Sequence, residues 1–208
     1  MKRPQTVALC AMLMFSPAFA GEPACHHGGS AKPAEPAEPI EQARIRQVPD
    51  LPVIDQDGHR LSFRRDLVEG KPVVMNFVFT TCTTICPPMG AIFGRLQDEL
   101  GERLGRDVRM VSVSIDPVTD TPARLEAWSR TFGRREGWTL VTGSKDDIDV
   151  ILRSLGAATP DKIDHAPLVL VGDSARNRWR RVYGLASPQT ILAALAEVEG
   201  GVARRADR

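Results

Sequence analysis

Neither sign of charge is in excess: 27 Lys and Arg face 26 Asp and Glu over 208 residues, a formal balance of +1. So small a balance creates no broad field to gather nucleic acid or an anionic membrane surface, and neither is taken as a partner. Basic residues do cluster from Arg176 to Arg181 and again at Arg204, Arg205 and Arg208, where a solvated face and a frayed tail account for them. Cysteine is scarce, with only Cys10, Cys25, Cys82 and Cys86 in the chain. If Cys10 leaves with an export signal, an odd number remains, which excludes a simple disulfide framework. No internal repeat is present, and no apolar run reaches the roughly 20 residues that a helix needs to cross a bilayer.

What is present starts with that export signal, expected over residues 1–20. Lys2 and Arg3 form a positive start, Val7 to Phe15 an apolar stretch, and Ala18-Phe19-Ala20 a small-x-small cleavage site. Cleavage after Ala20 predicts a soluble periplasmic product; a retained N-terminal anchor is the alternative. Loss of Lys2 and Arg3 takes the formal charge from +1 to −1. Export also decides the redox setting, because a close pair of thiols outside the cytoplasm meets oxidising conditions.

Residues 21–47 read as a flexible leader or linker rich in Gly, Pro, Ala and Glu, unable to bury a core. With 42% of residues apolar, the rest is ample for one core, expected over residues 48–199. Residues 200–208 read as a mobile C-terminal tail.

Within the domain, Leu51 to Ile54 and Leu61 to Phe63 flank the Asp57-Gly58 turn of an N-terminal β-hairpin. Val73 to Phe79 is dense in β-branched and aromatic residues and suits a central strand buried on both faces. Pro87 and Pro88 fit a first helical turn, followed by Met89, Ile92, Phe93, Leu96 and Leu100 at helical spacing. Val108 to Ile115 alternates as a strand, and Thr121-Pro122 opens a helix carrying Leu125, Trp128 and Phe132. A short strand over Trp138 to Val141 precedes a helix after Ser144 with Ile148, Ile151, Leu152 and Leu155 on one face. Leu168 to Val171 and Trp179 to Tyr183 then form antiparallel neighbours, and Ser187-Pro188 starts a closing helix. A βαβ unit followed by ββα predicts an α/β, thioredoxin-like fold with a central mixed sheet flanked by helices.

Cys82-Thr83-Thr84-Ile85-Cys86-Pro87 falls between the buried strand and its helix, on the sheet edge where sites of open α/β folds gather. Residues four apart in a helical turn have Cα atoms about 6 Å apart, close enough for a disulfide or for two thiolates on one ion. N–H groups at a helix start favour the thiolate, so these read as reactive cysteines; an inert staple is the duller account. His165 lies in the loop that this topology brings toward the cysteines. A neutral imidazole there completes two sulfurs and one nitrogen, a soft set suited to Cu(I), whereas zinc asks for a fourth ligand not evident nearby. A surface histidine is the alternative.

Phe79-Thr80-Thr81-Cys82-Thr83-Thr84-Ile85-Cys86-Pro87 resembles the Cys-x-x-x-Cys-Pro signature of the Sco/SenC family. Ser114-Ile115-Asp116-Pro117 with Asp120-Thr121-Pro122 looks like its second signature, and Asp164-His165 before an apolar strand like its third. The likeness covers roughly residues 48–199. It implies a periplasmic or mitochondrial protein that binds copper through Cys82, Cys86 and His165 and helps build the binuclear copper centre of cytochrome c oxidase. Copper is expected as Cu(I), with Cu(II) also open, and the partner as the oxidase copper-site subunit or another cuproprotein. Other periplasmic copper chaperones and thiol reductases are further partner classes. Many members carry Pro-Asp where this chain has Thr83-Thr84, a departure that removes a carboxylate beside the thiols.

Asp116 and Asp164 are candidate outer residues of the site; Asp116, Pro117 and Asp120 can equally serve the cap of the following helix. Cys25, His26 and His27 in the leader offer an accessory metal set. His59 is expected at the surface, and Met75, Met89 and Met110 in the core. Three functions stay open: a metallochaperone, a thiol–disulfide oxidoreductase using Cys82 and Cys86, and a peroxiredoxin-like peroxidase. The first makes the protein a carrier and the others make it an enzyme.

Overall fold

The computed structural model describes residues 40–200. One eight-stranded mixed sheet runs in the order β1-β8-β7-β4-β5-β6-β2-β3. Its strands are β1 (Ile40–Gln42), β2 (Pro52–Asp55), β3 (Arg60–Ser62), β4 (Val73–Val78), β5 (Arg109–Ser114), β6 (Trp138–Thr142), β7 (Leu168–Asp173) and β8 (Arg178–Tyr183). The helices are α1 (Cys86–Leu100), α2 (Pro122–Arg130), α3 (Lys145–Leu155) and α4 (Pro188–Glu199). β4 runs parallel to β5 and antiparallel to β7, and every one of its residues is buried. The fold is thioredoxin-like, with the helices flanking the sheet as expected.

Alternation along β4 explains how one strand serves two cores. Val73, Met75 and Phe77 face α3, packing with Ile148, Ile151 and Leu155; Val74 faces α1 and α4, packing with Phe93, Leu96, Ile191 and Leu195. Each fully buried Leu, Ile or Phe contributes about 1.5–3 kcal/mol over leaving it exposed. Leu96→Ala would therefore cost about 2–5 kcal/mol once the cavity left behind is included. Helix starts follow their caps: Thr121, Ser144 and Ser187 each accept an N–H from the first turn of α2, α3 and α4.

Three local features differ from the expectations. Part of the expected linker is structured: Ile40–Gln42 pairs with β8, and Ala43, Ile45 and Val48 are buried in the core. The exposed edge of β8 supplies the backbone partners that this short polar segment cannot supply itself. Phe63 leaves the hairpin strand and begins a π-helical turn, Phe63–Val68, which buries Phe63, Leu67 and Val68. Phe132 lies beyond the end of α2, yet it stacks edge-on against Trp128 at 4.6 Å and fills the space that Gly90 leaves on α1. A Cβ on Gly90 would collide with that ring, so this glycine lets Phe132 approach the helix that carries Cys86.

The signal peptide expected over residues 1–20, most of the leader, the set Cys25, His26 and His27, and nearly all of the tail lie outside the described residues. Among the described residues, no helix is long and apolar enough to cross a membrane.

Candidate metal centre

β4 ends at Val78 and the chain turns through Phe79, whose carbonyl accepts the Cys82 N–H at 3.1 Å. α1 then starts at Cys86, with proline at its first positions. Proline has no N–H to leave unpaired there, which suits the start of a helix. The Cys86 N–H instead donates to Cys82 Sγ at 3.4 Å, and the Thr84 hydroxyl lies 3.6 Å from the same sulfur. Both cysteines are free thiols and both are buried.

Their acidities diverge. Burial opposes ionisation of Cys82, but the N–H groups of Cys86 and Thr84 and the Thr84 hydroxyl outweigh it and bring the pKa down from 9.0 to about 7. Burial pushes the Cys86 thiol up to about 12, with the neighbouring Cys82 and Asp120 charges adding to it against the favourable Phe79 backbone contact. The outer sulfur is thus half-ionised near neutrality, and the inner one keeps its proton until something displaces it.

His165 follows a single 3-10 turn, Lys162–Asp164, just before β7. It is only 5% exposed, and its Nε2 lies 3.1 Å from the Phe77 carbonyl on β4. A carbonyl can only accept, so Nε2 carries the proton and Nδ1 the lone pair. Burial also lowers the pKa of the ring, with the Phe77 contact acting weakly the other way, so the imidazole is neutral at pH 7. His165 shares a cavity of about 250 Å³ with Phe79, Cys82, Thr83, Thr84 and Lys162. Cys86 lies beneath it, clustered with Val78, Phe79 and Cys82.

The carboxylates behave differently from one another. Asp120, 1% exposed, accepts the Thr80 N–H at 3.1 Å and hydroxyl at 2.6 Å on one oxygen, and the Ser114 hydroxyl at 2.6 Å on the other. It ties β5 to the segment that leads into Cys82. Asp116 accepts from Lys162 Nζ at 2.5 Å; burial opposes its ionisation, but Lys162 and Thr119 hold its carboxyl below the usual range. It neither touches His165 nor caps α2, a task done by Thr121 itself. Asp164 corrects the expectation of an outer-site carboxylate: it is exposed and makes no side-chain hydrogen bond among the described residues. The 3-10 turn buries its neighbour His165 and turns Asp164 to solvent.

Cys82 and His165 line the same cavity and Cys86 packs behind Cys82, but the three candidate ligand atoms do not all lie within 4.8 Å of one another. Among the described residues, the one His/Cys/Asp/Glu group whose ligand atoms all lie within 4.8 Å is Asp55, Asp57 and His59. That group is explained by the β2–β3 turn, where Asp55 accepts the Asp57 and His59 N–H groups at 2.9 and 2.8 Å. His59 is exposed there as expected, and Met75, Met89 and Met110 are core residues. Two sulfurs and one neutral nitrogen fit a soft monovalent ion such as Cu(I), because among the described residues no further His or Cys lines the cavity to complete a tetrahedral zinc set. Sequence reasoning passed over Lys162, whose only signal was a cation three residues before the histidine.

A family model described as SCO1/SenC matches residues 41–199. The SCO1 protein homolog of Bacillus subtilis is 36% identical over 98 residues, covering 46% of this chain and 49% of that protein, so the chain spans about half the length of this curated relative. The solved structure of BsSco, described by a disulfide switch and as a member of the Sco family of cytochrome c oxidase assembly proteins, is 24% identical. It has a TM-score of 0.63 and covers 77% of this chain and 95% of its own. ScoI of Arabidopsis thaliana, solved with copper bound, has a TM-score of 0.59 at 21% identity and covers 72% of this chain and 96% of its own. At those identities the two structures speak to the fold.

Proposed function

The chain belongs to the SCO1/SenC family, and from that premise we propose that it is a periplasmic copper carrier that binds Cu(I) through Cys82, Cys86 and His165 and passes it to a cuproprotein. The observation that supports this reading is that a sulfur half-ionised near pH 7 and a neutral imidazole line one cavity, with a second sulfur one helical turn behind the first. A soft ion displaces the Cys86 proton on binding, since only the thiolate is a good ligand. A cavity open to solvent allows a partner's own soft ligands to enter as His165 leaves, so transfer needs no free ion.

The receiver fitting this chemistry is the apo binuclear copper site of the cytochrome c oxidase subunit, in keeping with the copper-bound and oxidase-assembly relatives. Export by residues 1–20, with cleavage after Ala20, would deliver the carrier to the compartment where that site is assembled. The decisive test is His165→Ala in competition with a chromophoric Cu(I) chelator. Affinity should fall by about 100-fold, the upper range for losing a group that tunes a metal site. Unchanged affinity would remove the imidazole from the ligand set and the reading with it.

A second reading draws on the divergent thiols. Cys82 thiolate attacks a disulfide of an apo copper site, expelling one partner thiolate; Cys86, once deprotonated, attacks the mixed disulfide and releases the second. The partner gains two electrons and two thiols, and Cys82 and Cys86 end as a disulfide that a thiol reductant must reopen. Trapping of a partner on Cys82 in the Cys86→Ala protein, with turnover indifferent to His165→Ala, would favour it.

A further inference from the structure

Lys162 sits where three features of the site meet. Its ammonium lies 2.5 Å from Asp116 Oδ2 and 5.7 Å from the centre of the Phe79 ring. It lines the cavity that holds Cys82 and His165, and also a larger cleft of about 640 Å³ bounded by Asp116, Leu152, Arg153 and Pro160. It is therefore the wall between the two. Asp116 is 9% exposed and belongs to the same short segment as Asp120, whose carboxylate grips Thr80 at the base of the cysteine loop. Residues Ser114 to Asp120 thus hold both ligand-bearing segments, the cysteine loop through Asp120 and the histidine segment through Lys162.

We infer that Lys162 is a positioning residue for the metal centre: its ion pair with Asp116 fastens the Asp161–His165 segment to the sheet edge and keeps the imidazole within reach of Cys82 and Cys86. This rests on the copper-carrier reading and deepens it. Apart from the ion pair, little fastens the segment near its turn. Ile163 is 80% exposed, Asp164 is exposed, and the Asp161 carboxylate serves only the Ile163 N–H at 2.9 Å. His165 itself is held by its Nε2 contact to the Phe77 carbonyl, an edge-on approach to the Phe77 ring at 6.4 Å and one backbone bond to Lys162 at 3.3 Å. Release of the ammonium frees the segment at its exposed side, which converts a three-ligand site into a two-sulfur site and gives an incoming ligand its opening.

The test is a double-mutant cycle read by Cu(I) competition. Lys162→Met should weaken Cu(I) binding by about 10-fold, as loss of an outer partner does, while Lys162→Arg, which keeps the cation, should stay within about 3-fold. In a His165→Ala background, Lys162→Met should change affinity by less than about 2-fold, because the residue acts through the imidazole. Equal loss in both backgrounds would mean the ammonium acts on the thiolates directly and would overturn the inference; so would no loss in either. Amide exchange on the metal-free protein supplies an independent reading, with faster exchange at His165 expected in Lys162→Met and unchanged exchange counting against it. If the parent itself fails to bind Cu(I), the carrier reading fails, and the exchange measurement still decides whether the tether exists.

Discussion

The two segments that carry the proposed ligands are built to different standards. The cysteine segment is continuous with β4, all of whose residues are buried, and with α1, whose Phe93 and Leu96 are fully buried. Its entry is clasped by two hydrogen bonds from Thr80 to Asp120, which a third, from Ser114, ties to β5. The histidine segment is a single 3-10 turn ahead of β7, with Ile163 80% exposed and one ion pair fixing its outer side. One side of the site is a platform and the other an arm. A carrier benefits from that inequality: a platform keeps the ion from being lost to water, and an arm that releases first lets a partner take it.

The comparison breaks most readily at the platform. Cys86→Ala removes the sulfur that core packing holds in place, leaving one thiolate and one imidazole, and Cu(I) affinity should fall on the order of 1000-fold. The competition assay used for His165→Ala reads both variants on one scale. If loss of the arm costs more than loss of the platform sulfur, the assignment of roles is reversed.

The anchors of the two segments should differ in the same sense. Asp120→Ala leaves the Thr80 N–H, the Thr80 hydroxyl and the buried Ser114 hydroxyl without their acceptor, which should cost about 3 kcal/mol of stability in urea unfolding. Lys162→Met removes a pair whose lysine side chain is 40% exposed. Water screens that pair, so its loss should cost clearly less than loss of the buried Asp120 acceptor. Similar losses for the two variants would erase the distinction between platform and arm.

Much of the platform was legible in the amino-acid sequence, because local pattern determines it. Val73 to Phe79 announces a buried strand by composition, Pro87 and Pro88 announce a helix start, and Ser144 and Ser187 cap helices as expected. The arm was legible only as His165 in a loop. Lys162 and Asp116 are 46 residues apart, and nothing local to either predicts their contact. Asp164 was misread for a related reason: proximity in sequence to the histidine does not decide which way a side chain leaves a 3-10 turn. β1 was missed because three residues after a Pro- and Glu-rich stretch become a strand only when β8 offers its edge.

The smallest expected effect bears on the asymmetry inside the platform. Alkylation of the metal-free, reduced protein should follow ionisation of Cys82 with a midpoint near about 7, while Cys86, held up near 12, stays unreactive through that range. Thr84→Ala removes the hydroxyl 3.6 Å from Cys82 Sγ but leaves the Cys86 N–H in place. The midpoint should therefore rise by less than about 1 unit, since one of several donors to the thiolate is lost. Cys82 is more acidic folded than unfolded, so its contribution is fully present above about pH 9 and is lost as pH falls through about 7. Cys86 is less acidic folded, so its contribution is present below about pH 9 and is lost as pH rises toward about 12. Between pH 7 and 9 only the Cys82 contribution changes, and the parent should gain stability with pH relative to Cys82→Ala in urea unfolding. A flat difference would mean that the outer thiolate is not held by the helix start, and the platform would lose the feature that readies it for a soft ion at neutral pH.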